Sequence, residues 1–301
     1  LYLYERCQPP AVNWFSTGRK RRWPTTLPTH ARDSNMSNEL QVYWAPGCSS
    51  CLRTKEFMSQ HGLDFQSINI VEHPEALEDL ARIGFRSVPV VRRGDKAVFC
   101  QDLQDVADFV GVSLAKSELC AQDYISRIDL ILQATTRFVE QLSEEQLAGH
   151  FPGRDRPYRD LAYHIYMVVQ GFLDSVEGGS LEMEAFLRTA PEGMTRGDQI
   201  ATTGEEVRKS LILWWHTHKH ALPASVKTYY GERTMLSVLD RTTWHAAQHC
   251  RQLQAVVENC GIEPDGALGD RELGGLSLPE NIYDNEIDMN DTSIDTKPML
   301  L

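Results

Sequence analysis

Two periodicities divide the chain. Between residues 38 and 112 the apolar positions alternate, or come in short β-branched runs broken by Pro and Gly. From 122 to 262 they recur at helical spacing instead. In the first stretch Leu40-Gln-Val-Tyr-Trp44 predicts a strand, Ala45-Pro-Gly47 a turn, and the residues from Cys48 to Gln60 a helix. A second strand is expected at 65–70 and a helix at 74–83 with proline in its first turn. A third strand at 87–91, a turn at Arg93-Gly94-Asp95, a fourth strand at 97–99 and a closing helix at 102–110 complete a βαβαββα order. A short linker at 113–121 follows. In the second stretch Ile128, Ile131, Phe138 and Leu142 mark one helix. Leu161, Ile165, Val168 and Phe172 mark another, from 160 to about 173. Val207, Leu211 and Trp214 form the stripe of a third, opened by a capping box at Thr203-Gly-Glu-Glu206. A fourth long helix is expected from 234 to about 259. The expected class is α/β plus all-α: a mixed-sheet domain at 38–112 and a four-helix bundle at 122–262.

The ends differ from this middle. Residues 1–37 carry Arg6, Arg19, Lys20, Arg21, Arg22 and Arg32 against Glu5 and Asp33, with no strand or helix period. They are expected to be a disordered or non-native extension, Met36 having the look of an ordinary start; an organelle transit peptide is the competing reading. Residues 263–301, rich in Asp, Glu, Asn, Gly and Ser, are expected to form an acidic disordered tail.

Composition narrows the function classes. A net charge of −12 argues against a general nucleic-acid binder, which needs a basic face for phosphates. No apolar run approaches the length that crosses a bilayer. Seven scattered cysteines are too sparse and odd in number for a secreted disulfide scaffold, so a cytoplasmic protein is expected.

Cys48 and Cys51 alone sit close together, on the first strand-to-helix turn. A cysteine at a helix N-terminus feels unpaired backbone N–H groups and the positive end of the helix dipole, which favours its thiolate. Cys48 is therefore the expected nucleophile, with Cys51, one turn further in, resolving a mixed disulfide. The pair is also compatible with half of a zinc site or with two idle cysteines, but no second Cys pair at zinc-site spacing exists.

These residues, together with Ser87-Val88-Pro89 and Cys100-Gln101-Asp102, resemble the glutaredoxin family of the thioredoxin fold over about 75 residues. The resemblance implies a cis-proline at Pro89 facing the active cysteine. It implies glutathione binding at Val88, Pro89, Gln101 and Asp102, with the Val88 backbone on the peptide and Asp102 at the γ-glutamyl end. Ser49-Ser50 stands where that family commonly has Pro-Tyr, and Tyr43-Trp44-Ala45 where it has a basic residue.

In the second domain His245 and His249 are spaced i, i+4 on the stripe of Val238, Leu253 and Val256, facing the bundle interior. His164 lies one turn from Leu161 and from Val168 and also faces inward. Three neutral imidazoles from two helices suit zinc, nickel or ferrous iron, leaving an open position for water or a thiolate. The bland alternative is a set of hydrogen-bonded core histidines. His216, His218 and His220 read as a solvated helix end. Phe151-Pro-Gly, Leu161-Ala-Tyr-His164 and His245-Ala-Ala-Gln-His249-Cys-Arg-Gln252-Leu resemble the DinB-like bundle family, which includes bacillithiol transferases and mycothiol-dependent maleylpyruvate isomerases. That likeness implies a metal on His164, His245 and His249 and a low-molecular-weight thiol as cosubstrate.

Together the two resemblances imply a glutathione-linked thiol enzyme. A metal would activate the thiol for transfer to, or isomerisation of, a small electrophile, while the first domain binds glutathione or reduces mixed disulfides. A plain thiol–disulfide oxidoreductase with a non-catalytic bundle, and a metal- or metalloid-binding protein, are the alternatives. Expected partners are small molecules, not nucleic acid or membrane, and a homodimer is left open.

Overall fold

The computed structural model describes residues 39–150 and 156–284. The expectations for 1–37, for the Phe151-Pro-Gly-Arg154 loop and for 285–301 lie outside the described residues.

Leu40–Trp44 (β1) pairs in parallel with Phe65–Asn69 (β2) and antiparallel with Val90–Arg93 (β3). β3 in turn pairs antiparallel with Lys96–Phe99 (β4), giving the order β2-β1-β3-β4. β1 is central and covered on both faces, which is why Val42, Tyr43 and Trp44 are all buried. Ser49–Gln60 (α1) and Leu103–Val110 (α3) share one core with Val42 and Val91, through Phe57, Met58 and Val106. Pro74–Arg82 (α2) closes the other face, where Leu80 meets Tyr43, Ile68 and Val90. This mixed sheet with flanking helices is a thioredoxin fold. The third strand begins later than the sequence suggests, at Val90 rather than Ser87. Pro89 has no N–H for a ladder, and the Val88–Pro89 peptide bond is cis.

The remainder is helical. Ala121–Glu140 (α4), a short turn Glu144–Leu147 (α5), Tyr158–Val176 (α6), Gly197–His218 (α7) and Met235–Asn259 (α8) follow in order. α4 and α6 each lie against both α7 and α8. α7 starts six residues before the Thr203 box, after Arg196, where the Gln199 side chain accepts from the backbone N–H of Thr195 and Arg196, both at 3.0 Å. Gly204 is not a helix-start residue but a close-approach one: a Cβ there would stand 2.1 Å from Tyr166 Cζ. Two elements had no sequence signal. A 3-10 turn, Met183–Leu187, and a hairpin of Ser225–Thr228 (β5) and Gly231–Thr234 (β6) insert between the long helices.

The expected disordered tail is a partial misreading. From 263 to 284 the chain is described and packed, with a last short helix Asp270–Leu273 (α9). Its backbone is satisfied by side chains rather than by a regular ladder, so it has no periodicity to read. Arg53 Nε donates to Ser277 O at 2.8 Å, and the Glu56 carboxylate accepts from the Glu280 and Asn281 N–H groups at 2.5 and 3.0 Å. From α8, Arg251 donates to Pro279 O at 2.8 Å and Gln248 to Ile282 O at 2.9 Å. The segment thus bridges α1 and α8. It ends on a buried ion pair, Lys55 Nζ to Asp284 Oδ2 at 2.5 Å, with Lys55 also 3.6 Å from the Trp44 ring centroid.

The two domains meet directly. Arg53 of α1 stacks 4.2 Å over Trp244 of α8 and pairs with Asp240 at 3.6 Å. Ser237 Oγ donates to Asp102 Oδ2 at 2.7 Å, and Arg233 pairs with Asp105. These contacts set the N-terminus of α1 against the middle of α8.

Candidate functional site

Cys48 is the N-cap of α1. Its Sγ accepts from Cys51 N–H at 3.2 Å, and the two cysteines are joined as a disulfide. Gly47, at φ 71°, takes the left-handed conformation that turns the chain into the helix. Cys48 is partly exposed while Cys51 is fully buried, so Cys48 is the sulfur that a small molecule can reach.

The three histidines converge. One ring nitrogen from each of His164, His245 and His249 lies within 4.8 Å of the others, and all three residues are buried. Their ring centroids stand 4.8 Å (His164–His249), 4.9 Å (His245–His249) and 5.4 Å (His164–His245) apart. α8 supplies two of them because His245 and His249 are one turn apart on its buried face. His245 Nδ1 is buried without a hydrogen-bond partner. Burial, and then the charges of His249, Arg241, Arg156 and Arg53, hold the His245 pKa well below the usual imidazole value. The ring is therefore neutral at neutral pH, the form that ligates a metal.

Cysteine and histidines share one cavity of about 100 Å³. Pro46, Gly47 and Cys48 of the first domain line it together with His164, His245 and His249 of the second, and Arg156, Phe186, Tyr229 and Arg241 complete the lining. Sequence reasoning missed those four. Arg241 had a signal, since it sits one turn before His245 on the same helical stripe. Tyr229 and Phe186 did not, because the hairpin and the 3-10 turn that carry them lack a period.

Of the residues expected to bind glutathione, Val88 and Gln101 line the cavity, whereas Pro89 and Asp102 lie outside its lining. The second domain engages two of them. Gln101 Oε1 accepts from Tyr229 OH at 2.9 Å and from Arg241 Nη2 at 2.7 Å, and Gln101 Nε2 reaches Val88 O at 3.5 Å. Asp102 caps α3 through Oδ1, 2.9 Å from Gln104 N, and its Oδ2 is taken by Ser237. Outside the cavity, Cys250 packs against Thr135 and Ile131 of α4, its thiol pushed up to about 12 by burial. His218 stacks on Trp214 with its ring bonded to the Trp214 carbonyl, and His216 and His220 are exposed.

Comparison with known proteins bears on the first domain. The glutaredoxin family model matches residues 40–98. Over 56 residues, 19% of this chain, the sequence is 39% identical to the glutaredoxin-like protein NrdH of Lactococcus lactis subsp. cremoris (strain MG1363), spanning 78% of that protein. It is 43% identical over 56 residues to the glutaredoxin-like protein NrdH of Escherichia coli (strain K12), spanning 69% of it and 19% of this chain. No described helix is long and apolar enough to cross a membrane. With its paired cysteines on the first strand-to-helix turn of a thioredoxin fold, the chain belongs to the glutaredoxin family, and residues 40–98 form a glutaredoxin-like thiol–disulfide oxidoreductase domain.

Proposed function

We propose that the two domains make one enzyme site for a low-molecular-weight thiol, glutathione being the leading candidate, and that a divalent metal belongs beside Cys48 on His164, His245 and His249. The observation that carries this reading is that the three imidazoles and the reachable cysteine line one cavity. The donor set fits zinc, nickel or ferrous iron: three buried imidazoles, one with an orphaned nitrogen and one braced by Gln252 at 2.7 Å. The DinB-like pattern of the helical domain supports the same assignment. Bound there, the metal would supply a Lewis acid that favours a thiolate at neutral pH.

The chain's own residues do the rest. His245, held neutral, keeps its lone pair for ligation. Phe186, whose ring stands 5.5 Å from that of His245, and Tyr229 put aromatic surface into the lining, which strengthens the electrostatics beside it. A thiol sulfur held in this cavity, its proton given up to solvent, attacks a small electrophile: in transfer the new C–S bond expels the electrophile's leaving group as an anion, and in isomerisation the same sulfur adds and is then eliminated as thiolate. Cys48 handles sulfur that has become trapped as a mixed disulfide. Its thiolate attacks one sulfur and expels the other as a thiolate; Cys51 then attacks Cys48, releases the second thiolate, and leaves the Cys48–Cys51 disulfide. Two further small-molecule thiols reduce that bond.

Side chains of the bundle line the cavity that Cys48 shares, which favours small thiols over protein clients and weighs against a bundle that only positions such clients. A metal- or metalloid-binding role draws on the same convergence of sulfur and nitrogen donors. Conjugation of glutathione to a chloronitroaromatic electrophile separates these readings. Metal-loaded wild type is expected to catalyse it, Cys48→Ser to retain it while losing disulfide reduction, and His245→Ala to lose it while keeping disulfide reduction. No conjugation in metal-loaded wild type would leave the oxidoreductase domain as the sole activity.

A further inference from the structure

Arg241 is 5% exposed, one turn before His245 on α8. Its Nη2 donates to Gln101 Oε1 and to Tyr229 OH, both at 2.7 Å, and both acceptors are neutral. Nε and Nη1 are buried without a hydrogen-bond partner. The rings of Phe186, Tyr230 and Tyr229 stand 4.9, 5.2 and 5.6 Å from the guanidinium; they offer π-faces but no charge. The neighbouring buried cation is treated differently: Arg53 has Asp240 at 3.6 Å. Arg233, close by, has Asp105. Arg241 has no carboxylate partner among the described residues. A buried charge without a counter-ion is costly, and such a group is normally paired.

Arg241 and Arg156 line the cavity, and among the described residues no Asp or Glu does. Cys48, at the N-terminus of α1, adds the positive end of a helix dipole. In a chain whose net charge is −12, this is a local reversal of sign.

We infer that the cavity selects an anionic small thiol or its disulfide, with a carboxylate drawn to Arg241 while the sulfur meets Cys48. The sulfur half rests on the thiol reading of the site; the choice of charge rests on Arg241 and needs no metal.

The test uses metal-stripped, oxidised full chain and three small thiols of similar size: mercaptoacetate, mercaptoethanol and cysteamine. Two thiolates give up two electrons, becoming a small disulfide, and the Cys48–Cys51 bond becomes two thiolates. Rates are compared at equal thiolate concentration. Mercaptoacetate is expected to exceed cysteamine by about tenfold, with mercaptoethanol between them. Arg241→Lys keeps that order, and Arg241→Met brings the ratio toward unity. Should Arg241→Met fail to fold, acetate against its neutral isostere acetamide tests the wild type: acetate alone slows reduction by mercaptoacetate. Equal rates for the three thiols, an unchanged ratio in a folded Arg241→Met, or equal effects of acetate and acetamide overturn the inference. Failure of all three thiols to reduce Cys48–Cys51 sinks the thiol reading itself, and the inference with it.

Discussion

Gln252 ties His249 to the 263–284 segment, a strap across α1 and α8: the amide Oε1 lies 2.7 Å from His249 Nδ1, and its Nε2 donates to Ile282 O at 3.1 Å. A carbonyl can only accept, so the strap fixes which end of the amide faces the histidine. His249 Nδ1 must then carry the proton, and Nε2 presents its lone pair for ligation. Gln252→Ala is expected to weaken zinc binding by about 10- to 100-fold, the usual effect of removing a group that orients a ligand. Competition with a chromogenic chelator measures it; an unchanged affinity would mean that Gln252 does not orient His249.

The two cysteines should behave unequally. Cys48 is partly exposed at the helix N-terminus and Cys51 is fully buried behind it. Cys51→Ser is expected to accumulate a mixed disulfide on Cys48 when treated with oxidised glutathione, seen as one added glutathionyl group by intact mass, whereas Cys48→Ser accumulates none at Cys51. Equal modification at either position would contradict the assignment of Cys48 as nucleophile.

Lys55 and Asp284 form an ion pair whose side chains are 2% and 6% exposed. Asp284→Asn replaces the carboxylate beside a buried ammonium with a neutral amide, so it is expected to cost about 3 kcal/mol in stability. Urea unfolding followed by Trp fluorescence reads this directly. A cost below about 0.5 kcal/mol would place the pair in the class of weak, solvent-screened bridges.

Much of this architecture is legible in the residues. β1, α1 and α8 carry strong periods and clear breakers, and each forms within one or two residues of its expected bounds. The inward histidines were legible because helix geometry alone puts i, i+4 residues on one face. Three things were not. The start of α7 was masked by Gly204, whose role is contact with Tyr166 rather than capping. The 263–284 strap is held by side chains of Arg53, Glu56, Gln248 and Arg251, contacts that connect residues up to 225 positions apart and leave no local pattern. Tyr229 and Phe186 reach the cavity from the hairpin and the 3-10 turn, whose positions depend on tertiary packing.

The most direct test of the account is metal content per chain in protein purified without a polyhistidine tag, wild type against His164→Ala. His164 is the one imidazole of the cluster contributed by α6, facing two from α8. After reconstitution with zinc, nickel or ferrous iron and gel filtration, about one ion per wild-type chain is expected. His164→Ala should lose that ion while Cys48–Cys51 is still reduced by dithiothreitol at the wild-type rate. No bound metal in wild type with any of the three ions, or equal metal in His164→Ala, would contradict a shared metal–thiol site and leave the glutaredoxin-like domain to act alone.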